Sequence, residues 1–249
     1  MSSAEPRPPY YRDDLAMIHH VGFAFHADAC APGIIERLKP VRARNGLVVE
    51  LGCGSGLLTR PLVEAGHRVL ATDASPAMLD LARAYVQGVE DIVALRLPDD
   101  PIPPADAIVS VGHVVNYLDD DVCVERALVA IAEALRPGGI MAIDLCDLEY
   151  GRSRMSVPPM IRRADGWLLA TEFSVPTRDR FVRQMTTFVK NEDDSWRRDD
   201  ERHDNVLIDA ARVPVLLAQH GVEAAVEVAF GEEVLPVGLV TIIGRRRDG

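Results

Sequence analysis

Apolar and polar positions follow two rhythms along the chain. Over residues 15–38 apolar side chains recur at mixed helical spacing, broken by Gly22 and by the Pro32-Gly33 pair, which predicts two short helices joined by a kinked loop. Residues 47–51 form an apolar run interrupted only by Glu50, as a parallel strand covered on both faces would. A glycine turn follows, then a helix to about residue 65 with Gly66 just past its end, where a left-handed residue closes a helix. Residues 68–72 repeat the strand pattern and end on Asp73, and Ser75 with Pro76 opens the next helix as N-cap and first helical position. Strands three and four are expected at 92–97 and 106–111, with a helix from near Asp119 to Leu135 behind them. The tetrapeptide RPGG then turns the chain into strand five, 140–145. Five β-α steps in a row predict an α/β fold with a doubly wound, mostly parallel, Rossmann-like sheet.

After Tyr150 the rhythm changes. Residues 167–175, 180–190 and 195–205 alternate polar and apolar without helical gaps, which predicts an antiparallel insertion of two or three strands after strand five, over one end of the sheet. Asp209 should cap a helix reaching His220, tightened or kinked by Pro214 near its second turn. Residues 222–230 and 237–244, joined directly, would pair antiparallel at the sheet edge and bring the count to seven strands. The expected division is residues 1–40 as an N-terminal helical flap and 41–249 as the main domain, interrupted by an inserted unit at 150–205.

Composition narrows the partners. The 249 residues carry a formal charge of -11, which would repel a phosphate backbone and argues against nucleic acid. The Arg245 to Arg247 cluster reads as a solvated tail. No apolar run approaches the roughly 18–20 residues of a membrane span. The N-terminus MSSAEPRPPYYRDD lacks an apolar stretch and reads as a polar leader and not a signal peptide, so a cytoplasmic location is expected. Cys30, Cys53, Cys123 and Cys146 are widely spaced without a CxxC pair, which suits reduced packing residues.

The glycine turn selects the ligand. A nicotinamide site wants G-x-G-x-x-G, but here the run is Glu50-Leu51-Gly52-Cys53-Gly54-Ser55-Gly56, with Leu57 in the third glycine's place. No lysine follows as a Walker loop requires. A carboxylate before the turn would repel pyrophosphate and welcome a cation, while Asp73 ends strand two where an acid accepts from ribose hydroxyls. A ligand with a ribose, positive charge and no pyrophosphate is indicated; S-adenosylmethionine meets all three conditions.

The stretch VVELGCGSGLLTRPLVEAGHRVLATDASPAMLDLAR resembles motif I and its sequel in class I S-adenosylmethionine-dependent methyltransferases of the small-molecule type, and LRPGGIMAIDL resembles their entry to strand five. The resemblance covers roughly residues 47–145. It implies that Gly52, Cys53, Gly54 and Gly56 form the turn under the methionine part and ribose, that Glu50 anchors that turn or the amino group, and that Asp73 binds the ribose. Ala74, Met78, Leu97 and Gly112 would complete the cofactor site. An acid at the end of strand three, which many members use for the adenine amino group, is replaced by ALRLPDDPIPP, so that contact falls either to Asp99 or Asp100 or to main chain near Leu97.

For the chemistry, a base is useful when the acceptor is a hydroxyl or protonated amine, and histidine is the first suspect. His113 follows strand four at the carboxyl end of the sheet, where ligands of such folds sit; His19 lies on the flap and His203 on the inserted strands. Tyr117 is a further candidate for orienting an acceptor. Adjacent His19 and His20 point about 100° apart on a helix, so with His26 they make no metal site, and no metal is expected. Asp144 and Asp147, around Cys146, read as acceptor-site polar groups. The Asn/Asp-Pro-Pro-Tyr/Phe tetrad of base methyltransferases is absent, since that place reads VGHVVNYL, and neither Cys123 nor Cys146 follows a proline. The inserted strands resemble the substrate caps of enzymes acting on amino sugars, amines or secondary metabolites. The expected function is methyl transfer from S-adenosylmethionine to an oxygen or nitrogen of a small molecule, with S-adenosylhomocysteine as product. A non-catalytic S-adenosylmethionine-binding regulator on the same fold is the alternative, and homodimerisation stays open.

Overall fold

The computed structural model describes residues 10–248. Two helices, α1 (Asp13–Gly22) and α2 (Phe25–Arg37), and the short α3 (Lys39–Ala43) precede the sheet. Strands β1 (Leu47–Leu51), β2 (Arg68–Asp73), β3 (Asp91–Ala94) and β4 (Ala105–Ser110) alternate with α4 (Thr59–Glu64) and α5 (Pro76–Tyr85). Helix α6 (Asp121–Ala134) leads to β5 (Leu135–Cys146) and α7 (Leu148–Arg154). Four antiparallel strands follow, β6 (Met160–Ala164), β7 (Trp167–Thr177), β8 (Arg180–Lys190) and β9 (Trp196–Val206), and the chain ends with α8 (Val213–Gln219), β10 (Val222–Glu227) and β11 (Leu239–Arg246).

The main sheet has seven strands in the order β10-β11-β5-β4-β1-β2-β3, with β11 alone antiparallel to its neighbours, so the doubly wound expectation holds. Successive residues of β1 serve opposite layers. Val48 packs with Ile34 of α2, Leu38 just after it and Leu62 of α4, whereas Val49 and Leu51 face Leu128 and Ile131 of α6 and Leu217 of α8. Each such side chain contributes roughly 1.5–3 kcal/mol when fully buried, and this two-sided burial drives the layering. Side-chain caps set the helix starts: Ser75 Oγ accepts from Met78 N, and Asp120 accepts from Cys123 N.

Several expectations need correction. Helix α2 runs through Pro32 unbroken, while the break expected at Gly22 is present: α1 ends there, and Phe23–Ala24 separate it from α2. Gly33 is there for close approach, since a Cβ would stand 2.6 Å from the backbone of Phe230 and Gly231. That contact comes from the segment 228–238, a longer connection between β10 and β11 than the expected 231–236, because β10 ends at Glu227 and β11 begins at Leu239. The RPGG residues lie within the span of β5 as an irregularity: Ala105 of β4 pairs with Leu135, and Ala107 already with Ile140. Pro214 falls in the first turn of α8, where it is tolerated, and not in the second. The inserted sheet has four strands, because β6 carries five exposed residues and offers no alternation to read.

The inner face of the second sheet packs on α1 through Trp167, Leu169, Met185 and Val189 against Leu15 and Ile18. Glu201 of β9 accepts from the backbone N–H of both Tyr11 and Arg12 at 2.8 Å, satisfying free donors at the start of α1. Arg12–Asp199 and Arg197–Asp14 ion pairs reinforce the junction.

Candidate active site

A cavity of about 710 Å³ opens at the carboxyl ends of β1, β2 and β4. The first wall is the glycine turn. Cys53 N donates to Thr72 O at 2.8 Å and Gly54 N to Asp73 Oδ2 at 2.8 Å, which holds the turn against the end of β2. Gly52 and Gly54 line the cavity with φ of +67° and +55°. Gly56 is elsewhere: it has φ of +85°, and its missing Cβ leaves room for Val86 beside α5, so it serves helix packing. A Cβ on Gly52 would collide with Val114. Gly52→Ala therefore combines a left-handed backbone with a clash and should cost about 2 kcal/mol or more, read as a lowered unfolding midpoint.

Glu50 lies beneath this turn, 2% exposed, on the cavity wall, with Oε2 lacking any hydrogen-bond partner. Burial pushes its carboxyl up to about 7; the Thr59 hydroxyl, close but outside hydrogen-bond geometry, offsets this only in part. Asp73 divides its oxygens between Gly54 N and Ser75 N, at 2.8 Å each, and faces the cavity. Its carboxyl is raised by burial and held back by those two N–H groups. Ala74, Met78 and Leu97 supply apolar wall, and Gly112 leaves a clear space, with no atom within 4 Å of an added Cβ. Of the two acids considered for adenine, Asp99 lines the cavity while paired with Arg126 at 3.1 Å; Asp100 instead accepts from Arg96 N at 2.7 Å.

Comparisons with known proteins bear on the family and the fold. Residues 48–139 match the family model described as a methyltransferase domain. This segment is a methyltransferase domain. Over 115 residues the chain is 37% identical to an uncharacterised methyltransferase of Mycobacterium tuberculosis, a match covering 45% of this chain and 44% of that protein. The chain thus spans less than half the length of the curated relatives it matches. A S-adenosylmethionine-dependent methyltransferase from Clostridium acetobutylicum shares the fold over 94% of this chain and 98% of its own, with a TM-score of 0.77 and 18% identity. A sugar N-methyltransferase from Streptoalloteichus does so over 100% and 99%, with a TM-score of 0.75 and 18% identity.

The N-terminal residues roof the cavity of the methyltransferase domain. Ser75 Oγ donates to Tyr11 O at 2.8 Å, and His20 Nδ1 meets Ser55 Oγ at 2.9 Å, so this segment touches both the glycine turn and the start of α5. Tyr10, Tyr11 and His19 are on the cavity wall, as is Tyr117 from the turn after β4. Around Tyr117 the three histidines singled out from the sequence come together. His113 stacks on it at 5.4 Å between centroids, His203 lies edge-on at 5.6 Å, and Tyr11, 6.1 Å away, contacts His19 at 5.2 Å. His113 and His203 sit behind the cavity wall and not on it. Burial, with the positive charge of Arg183 adding to it, lowers His113 to about 3 and His19 to about 4; His203 reaches about 4 although Glu201 pulls it upward. All three are neutral at physiological pH, which makes them hydrogen-bonding groups; a proton accepted by a group of pKa about 3 is shed at once at pH 7, and His113 is a weak base.

Asp144 is not an acceptor-site group. Its oxygens are taken by Gly112 N, His113 N and His26 Nε2 at 3.0, 2.6 and 2.9 Å, which fixes the turn after β4 and puts His113 at φ of +49°. Burial would lower His26, but the bond to Asp144 prevails and raises it. Asp147 caps α7 through Glu149 N and Tyr150 N. Among the described residues no group of three or more His, Cys, Asp or Glu could hold a metal ion, and no helix is long and apolar enough to cross a membrane.

Proposed function

We propose that the chain transfers a methyl group from S-adenosylmethionine to an oxygen or nitrogen of a small metabolite in the cytoplasm, leaving S-adenosylhomocysteine. The observation that carries this reading is the cavity wall itself: a buried Glu50 oxygen without a partner at one end, Asp73 beyond the glycine turn, and the open space at Gly112. When bound, the cofactor supplies an electrophilic methyl on a sulfonium. The chain's residues do the rest. Glu50 meets positive charge, Asp73 accepts from ribose hydroxyls, and Ala74, Met78 and Leu97 flank the adenine. The segment 10–37 acts as a flap that excludes water, and the four-stranded sheet acts as a cap that closes the acceptor side.

Methyl transfer gains mostly from alignment of nucleophile and methyl. His19, whose Nδ1 is buried and unpartnered, can accept from the acceptor's O–H or N–H, and Tyr117 orients the acceptor. The small-molecule acceptor is supported by the fold shared with a sugar N-methyltransferase and by the roofed cavity, which suits a compact substrate better than a polymer.

Incubation with methyl-labelled S-adenosylmethionine and a metabolite extract should place label in the small-molecule fraction; label recovered only in protein or nucleic acid would sink the assignment. In the same assay Tyr117→Phe, which loses the hydroxyl bonded to Tyr11 and Arg183, should transfer about tenfold more slowly. Its thermal shift with S-adenosylhomocysteine should match that of the unmodified protein, because the lost hydroxyl is bonded to Tyr11 and Arg183 and not to the glycine turn.

A further inference from the structure

Arg183 stands where an outward-facing charge would not. It belongs to the inward phase of β8, with Phe181, Met185, Thr187 and Val189 as its buried companions, and it pairs across the sheet with His203 and Phe173. Its guanidinium donates to the Tyr117 hydroxyl and lies 5.5 Å from that ring's centroid, while Nε is buried without a partner. Among the described residues no carboxylate bonds to it. Two buried carboxylates of this region are committed elsewhere: Glu201 to Tyr11 N, Arg12 N and His203, and Asp144 to Gly112 N, His113 N and His26.

An arginine cannot relieve this by losing its proton, as a buried lysine would. A charged group without a counter-charge in a weakly polar interior is strongly unfavourable. Around it the chain places neutral groups: the three imidazoles and the hydroxyls of Tyr11, Tyr117 and Tyr150. Arg183, His19, His113, Tyr117 and Tyr150 are each partly and not fully buried, and His19 and Tyr117 line the cavity, with Tyr117 the residue that joins Arg183 to it.

We propose that Arg183 recognises a negatively charged oxygen group, a carboxylate or a phosphate, on the acceptor molecule. Its planar fork matches either group, and the free Nε supplies one of the two parallel donors such a group takes. The neighbouring aromatic rings favour an acceptor with an apolar or ring-shaped body next to its charge. This rests on the methyltransferase reading in one respect, that the chamber beside Tyr117 holds the acceptor.

The test is thermal unfolding of the full chain with saturating S-adenosylhomocysteine, adding benzoate, phenyl phosphate or the neutral benzamide. Benzoate or phenyl phosphate should raise the midpoint, and which of them does so assigns carboxylate or phosphate; benzamide should not. Arg183→Gln should keep the shift caused by S-adenosylhomocysteine and bind the anion about tenfold more weakly or worse. Arg183→Lys keeps a charge without the fork and should fall between, and it serves as the reporter if the glutamine variant does not fold. An absent anion shift in the unmodified protein, or an equal shift in either variant, overturns the proposal. If S-adenosylhomocysteine itself gives no shift, the cofactor reading has failed; an Arg183-dependent anion shift measured without it would still uphold the anion site.

Discussion

Asp73→Ala is expected to weaken cofactor binding severely and to lower the unfolding midpoint at once. The carboxylate has two duties. It faces the cavity, where it would accept from ribose hydroxyls, and it already accepts from Gly54 N and Ser75 N at 2.8 Å each. Removing it strands two backbone donors at the bend that defines the site. Each stranded donor costs roughly 1–3 kcal/mol, so a loss of about 2–6 kcal/mol is expected, together with a fall in affinity of about a hundredfold or more. Asp73→Asn separates the duties, since its one oxygen can keep one of the two N–H groups; it should recover about half of the stability and little of the affinity. Isothermal titration with S-adenosylhomocysteine and thermal denaturation measure both. Tight binding by the alanine variant would remove Asp73 from the cofactor site.

Much of this was legible in the chain, for identifiable reasons. Parallel strands buried on both faces read as apolar runs, and the pattern predicts β1 and β2 to within a residue because their polar members, Glu50, Thr72 and the terminal Arg68 and Asp73, leave the apolar runs intact. The glycine turn was legible because left-handed backbone and close approach both demand glycine, although the two demands look alike in a sequence. Gly52 and Gly54 serve the cavity, whereas Gly56 serves Val86. Strand β6 was silent because both its faces are wet. Arg183 passed unnoticed although its phase in β8 was readable: it occupies the position between Phe181 and Met185 that alternation reserves for a buried side chain. The meeting of His19, His113 and His203 lay beyond sequence reasoning, because it depends on α1 and β9 docking over the turn after β4, and Glu201 bonding to Tyr11 N and Arg12 N is what secures that docking.

Glu50 offers the sharpest test of the electrostatic argument, because stability and binding should move in opposite directions. In the unliganded protein burial raises its carboxyl to about 7 against an ordinary value of 4.5. The folded pKa is above the unfolded one, so the native state holds the proton more tightly; stability is undiminished below about pH 4.5, falls as pH rises toward 7 and levels off above, for a total of roughly 3 kcal/mol. Glu50→Gln removes the ionisation, and after allowance for an incompletely bonded amide it should stabilise the protein at pH 8 by about 2 kcal/mol, or roughly 4–8 °C in midpoint. Cofactor affinity should fall by about a hundredfold, since the buried counter-charge for the cationic ligand is gone. Ligand binding should also couple to pH. A cation beside Glu50 favours its ionised form, so affinity is full above pH 7 and weakens about tenfold per unit below it, with protons released on binding near neutrality. Calorimetry in buffers of different ionisation heat would detect those protons, and the glutamine variant should release none. A variant that is less stable at pH 8, or that binds the cofactor as tightly as the unmodified protein, would mean that the acid before the turn braces the loop and does not receive the ligand's charge.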